Sequence, residues 1–216
     1  MNRKIYNSRI ALLALVLPAG IISTLLHETG HCIFYWLQGV PSAVSLIKAY
    51  PLVDITATQH AVSCVGGPLV NILLTIVSYL LIRKHAKHSR GWSILSALII
   101  ANAFYFILRS LISVLKNNGG ELEYAANLID LNYYHVVGLF AIVTVMVLIL
   151  WIKRFRIRAS VVNAVTFSLF FIAYFFTIIF VQTVDRSLFW EKFPTVRIDD
   201  GRLYNDNSHM HSSGKD

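Results

Sequence analysis

Residues 27–31 read His27-Glu28-Thr29-Gly30-His31. On a helix, side chains four apart lie one turn above each other, so both imidazoles reach a single ion. The glutamate between them is near enough to act on a water beside that ion, which makes this the HExxH pattern of two zinc ligands and a general base. A catalytic zinc site usually has three protein ligands and one open position. The third ligand must come from another element that ends on the same face. Glutamate is scarce: Glu28, Glu121, Glu123 and Glu191 are the only ones in the chain. Two of them stand in Asn117-Asn118-Gly119-Gly120-Glu121-Leu122-Glu123. Glu121 is preferred as the ligand, because the glycine pair before it lets the backbone fold back, with Glu123 as runner-up. Asp54 and Asp130 are weaker candidates. A further signal is Gly66-Gly67-Pro68-Leu69-Val70-Asn71. Two glycines and a proline are expected to open a helix with an irregular turn, which membranes tolerate only where it is packed in protein or lines a wet cavity. Asn71 would then sit on the first helical turn as an uncharged donor facing the same end as the histidines.

The elements that position these residues are membrane spans. Of 216 residues, 56% are hydrophobic and only 14% charged, with mean hydropathy +0.61. A soluble domain carries about 25% charged residues. Five apolar segments, 10–26, 61–82, 91–115, 136–152 and 159–184, are each close to the roughly 20 residues that cross a hydrocarbon core. No alternating barrel pattern competes with them, so the expected fold is an all-α polytopic membrane protein. The first segment outruns the apolar core of a signal peptide and leads straight into the histidines, so it reads as an uncleaved span. The expected division is a transmembrane domain over 1–181 and an extramembrane tail over 182–216. His209 and His211 in that tail read as part of a flexible end rather than as a metal site. Cys32 and Cys64, the only cysteines, lie in apolar stretches and indicate no disulfide framework.

The formal charge of +8 is explained by topology. Arg3, Lys4 and Arg9 precede the first span, Arg83, Lys84, Lys87 and Arg90 follow the second, and Lys153, Arg154, Arg156 and Arg158 follow the fourth. If five spans alternate, these residues, most of the 19 Lys and Arg, share one face. By the positive-inside rule the N-terminus is cytoplasmic and the C-terminal tail is not. Nucleic acid is therefore not an expected partner; the lipid bilayer is.

HETGH at 27–31, GGPLVN at 66–71 and GGELE at 119–123, in that order, resemble the site-2 protease family of intramembrane zinc metalloproteases. The resemblance covers about residues 10–125 and is closest to the compact, divergent branch of the family. Its third motif departs from the family pattern, which usually has an aspartate in Leu-Asp-Gly. Asn102 is similar to an asparagine that the family places upstream of that motif, at a different spacing. The resemblance implies a three-helix metalloprotease core plus two C-terminal helices. It implies Zn2+ on His27, His31 and an acidic ligand, Glu28 as the base, and Asn71 as a donor to the scissile carbonyl. The substrate would be a transmembrane segment of another membrane protein. Two other functions fit parts of the sequence. One is a catalytically inactive, protease-like membrane chaperone or regulator, which the missing aspartate favours. The other is a cation or proton transporter with His27, Glu28 and His31 along its path. A transporter calls for further ionisable groups inside the spans, where Arg109 is almost alone.

Overall fold

The computed structural model describes the backbone of residues 3–84, 91–116, 121–154, 161–189, 192–193, 195–199 and 203–204. Side chains are described for these except 3–11, 13, 91–92, 113–114, 116, 128, 161–164 and 203–204. The elements run α1 (Arg3–Leu37), β1 (Ser42–Val44), β2 (Ala49–Pro51), α2 (Ala57–Lys84), α3 (Gly91–Lys116) and α4 (Glu121–Leu128). They continue with α5 (Tyr133–Arg154), α6 (Val161–Phe189), β3 (Val196–Arg197) and β4 (Leu203–Tyr204).

The chain is an all-α, multi-pass membrane protein. Among the described residues, four helices are long and apolar enough to cross a membrane: Ala57–Lys84, Ser93–Ile112, Tyr133–Arg154 and Val165–Phe189. That is one fewer than the five expected. The remaining expected span, 10–26, lies in α1, whose side chains are described only from Leu12 on. The far half of α1 turns Ser23, Thr24, His27, Glu28 and His31 inward, so its polar face serves the protein interior rather than lipid.

The three central helices have a readable order. The contact pairs Gly30–Gly66, His31–Ser63, Tyr35–His60 and Gln38–Gln59 run in opposite directions along the chain, so α2 returns antiparallel to α1. Ser23–Asn102 and His27–Tyr105 run the same way, so α3 lies parallel to α1. Of these four, α3 is the most enclosed, 56% of its apolar window being buried against 17% for α6, which leaves most of α6 for lipid. Ala97, Leu98, Ile99, Ile100, Ala101 and Phe104 of α3 form the apolar core with Val16 and Ala19 of α1, Ile82, Trp151, Phe170 and Tyr174.

The glycines of α2 do not make an irregular turn. α2 is continuous from Ala57 to Lys84, with Gly66, Gly67 and Pro68 inside it, which places Asn71 mid-helix rather than on a first turn. Pro68 removes one backbone hydrogen bond, a loss that membrane helices accommodate. The glycines serve packing instead. A Cβ on Gly30 would lie 2.5 Å from the Gly66 carbonyl oxygen, and one on Gly66 would strike the Gly30 carbonyl. α1 and α2 therefore touch backbone to backbone, as small residues permit between membrane helices.

Beyond the third span the chain forms the short helix α4, with Glu121 and Glu123 in its first turn. Gly119 and Gly120, on which a fold-back of the chain was expected, lie outside the described residues. So do His209 and His211. α6 extends through Phe189, beyond the expected end at 184, and the segment around β3 packs back onto the loop before α2 through a parallel bridge between Ile55 and Ile198.

Candidate metal centre

His27 and His31 project from one face of α1 and are 1% and 6% exposed. Their Nε2 atoms lie 3.1 Å apart. Glu121 comes to the same point from the start of α4, its Oε2 3.1 Å from His27 Nε2 and 3.3 Å from His31 Nε2. Two imidazole nitrogens and a carboxylate oxygen this close together are held either by a shared ring proton or by a cation. A tetrahedral cation bound at about 2.0–2.2 Å requires ligand separations of about 3.3–3.6 Å. The observed triangle is within a few tenths of an ångström of that face, so the residues fit a small divalent cation.

The surrounding groups prepare the triangle. The Nδ1–H of His31 donates to the Ser63 carbonyl at 2.7 Å, which leaves the Nε2 lone pair of the neutral ring directed into the site. Gly67 supplies the space: a Cβ there would lie 2.6 Å from His27 Nε2 and would also strike His31 Nε2. Arg109 holds the other oxygen of Glu121, its guanidinium 3.6 Å from Oε1, which leaves Oε2 for the histidines. Burial opposes ionisation of Glu121. The Arg109 charge and the contacts with His27 and His31 outweigh it and hold the carboxyl well below the usual range. The Tyr105 hydroxyl lies 3.2 Å from His27 Nε2. One side is less complete, because His27 Nδ1 is buried with no hydrogen-bond partner among the described residues.

Glu28 lies beside the two histidines, one ligand atom from each of the three falling within 4.8 Å of the others. Its Oε2 accepts the backbone N–H of Ala49 at 2.9 Å, so β2 crosses directly over it. Lys48, the residue before, stands 5.2 Å over the Tyr50 ring. Burial lowers its pKa against the opposing pull of Glu28 and Asp185.

The remaining expected residues are distributed as follows. Asn71 is fully buried one turn beyond Gly67, on the same face of α2, and neither polar atom of its side chain has a partner among the described residues. Glu123 is two residues past Glu121, about 200° round α4, so the two carboxylates leave the helix on different sides. Asp54 accepts the Arg197 N–H at 2.8 Å, and Asp130 follows α4 in a turn with φ 53°. Asn102 is engaged by the Ser23 hydroxyl at 2.6 Å. Tyr105, Arg109 and Ser63 were not foreseen. Asn102, Tyr105 and Arg109 do share one face of α3, at i, i+3 and i+7, and that polar stripe in an apolar helix was the available signal.

Comparison with family models, with curated proteins and with solved structures gives no match. What the site can do is therefore carried by its own geometry.

Proposed function

We propose that this chain is an intramembrane zinc endopeptidase, the activity that its resemblance to the site-2 protease family implies. The supporting observation is the triangle of His27 Nε2, His31 Nε2 and Glu121 Oε2 with a buried glutamate beside it. Zinc held by those three residues would supply the Lewis acidity that brings the pKa of a water toward about 7.

The chain's own groups do the rest. Glu28 takes one proton from the attacking water and delivers a proton to the leaving nitrogen, as the C–N bond breaks and the water oxygen stays on the acyl carbon. Ala49 anchors Oε2 of Glu28 and leaves Oε1 for the water. Arg109 keeps Glu121 ionised and oriented. Asn71, a buried amide without a partner, is the donor for the scissile carbonyl oxygen. The substrate is a transmembrane segment of another protein that unwinds locally, because a helix hides its backbone carbonyls. By the positive-inside rule, the basic clusters support a cytoplasmic N-terminus and a site toward the opposite face of the membrane.

Cleavage of a model transmembrane substrate by wild type and Glu28→Gln tests this reading. The expected result is a rate loss of about 10²–10⁴-fold with zinc retained. Equal cleavage by the two proteins contradicts it. A wild type that holds zinc and cleaves no substrate supports the inactive, regulatory reading instead.

A further inference from the structure

The hairpin over Glu28 is held down from the far end of the chain. β1 and β2 pair over only three residues each, and a two-stranded ribbon of that size is marginal by itself. It lies along the last turns of α1: the Cys32 thiol donates to the Ala43 carbonyl at 3.3 Å, and Trp36 Nε1 to the Ser42 carbonyl at 3.2 Å. Its turn is gripped by Asp185, a fully buried carboxylate near the end of α6. Asp185 accepts the Ser45 hydroxyl and the Leu46 N–H, both at 2.7 Å. Phe193 stacks on Tyr50 of β2, with ring centroids 4.0 Å apart and planes 11° from parallel. Past the hairpin, Ile55 donates to the Arg197 carbonyl and accepts from Asp199 N–H, each at 3.0 Å. The Asp199 carboxylate accepts the Ala57 N–H at the start of α2, at 2.6 Å.

These contacts have a common consequence. The hairpin covers Glu28, and groups 140 or so residues later in sequence decide whether it stays there. Lifting the hairpin would take the Ser45 and Leu46 donors from a buried carboxylate, which is costly, so these contacts favour the seated arrangement. We infer that Asp185 and Phe193, with the Ile198–Asp199 segment anchoring the loop that follows the hairpin, form a latch that keeps the β1–β2 hairpin closed over the Glu28 site, and that its release admits substrate. The inference rests on Glu28 and its histidines being the working site.

Cys32 reports on the latch without requiring catalysis, since it is fully buried against the hairpin. In the full-length chain carrying Cys64→Ser it is the only thiol. Its modification by a water-soluble maleimide is measured in nanodiscs for that protein and for Asp185→Asn, Phe193→Ala and Asp199→Ala in the same background. The expected result is labelling about tenfold faster or more in Asp185→Asn, with smaller accelerations in the other two. Phe193→Ala changes a half-buried position and Asp199→Ala an exposed one, so they answer the question if Asp185→Asn fails to fold. Labelling unchanged in all variants that fold overturns the latch and leaves the proteolytic reading standing. Faster labelling in a protein that cleaves nothing supports the latch and counts against proteolysis.

Discussion

Around Val16 and Ala19, α1 packs on side chains, whereas around His27 and His31 it packs on backbone. In the first region its neighbours are Ile99, Ile100, Phe104, Phe170 and Tyr174, an apolar cluster with the Trp151 indole satisfied by Ser96 Oγ at 3.0 Å. In the second, Gly30 meets Gly66, Gly67 leaves room for two imidazoles, and polar residues from α3 and α4 close the ring. The two lie only a few turns apart on one helix. Both regions use a glycine for close packing, but only in the second does the missing side chain leave room for polar groups, the two imidazoles beside Gly67. Bulk added to the first region should cost stability alone. Bulk added to the second should cost metal.

The largest effect is expected from Gly67→Ala. Alanine is favoured over glycine in a helix by about 1 kcal/mol, so α2 should persist. Its Cβ would enter the space of His27 Nε2 and Cε1, at 2.6 and 2.7 Å. Zinc affinity should fall at least about 100-fold, beyond the usual effect of losing a supporting partner, and competition with a fluorescent chelator measures it. Unchanged affinity would break the comparison. Next comes Arg109→Gln, which releases Oε1 of Glu121 and should weaken zinc by about 10–100-fold, read by the same titration. The smallest effect belongs to Gly20→Ala in the apolar region. There the Cβ meets Tyr174 Cε2 at 2.7 Å, and overpacking should leave a net destabilisation of about 1 kcal/mol after the helix gain. A lower Tm with unaltered zinc affinity is the expected outcome, and a zinc effect equal to that of Gly67→Ala would erase the distinction.

Much of this arrangement was legible before any coordinates. His27, Glu28 and His31 declare one helix face by spacing alone. Glu121 became a candidate because carboxylates are scarce in this chain and topology brings the first and third spans to the same end. Gly66 and Gly67 were harder. Glycine next to proline breaks helices in water, but within a membrane the same residues permit close helix contact, and α2 runs through them. Tyr105 and Arg109 depend on the rotation of α3 about its own axis, which a mostly apolar sequence leaves weakly specified. The contacts of Asp185 and Phe193 with the hairpin, and of Ile198 with Ile55 in the loop beyond it, had no sequence signature. Strands of two or three residues are too short for an alternation to show, and a lone aspartate at a helix end ordinarily faces water.

The central claim is that Glu121, rather than Glu123, completes a metal site with His27 and His31. Elemental analysis of the purified full-length protein, beside Glu121→Ala and Glu123→Ala, tests it most directly. The expected result is about one zinc per chain in wild type and in Glu123→Ala, and its loss from a folded Glu121→Ala. A wild type without bound metal, or zinc retained in Glu121→Ala and lost in Glu123→Ala, would contradict it.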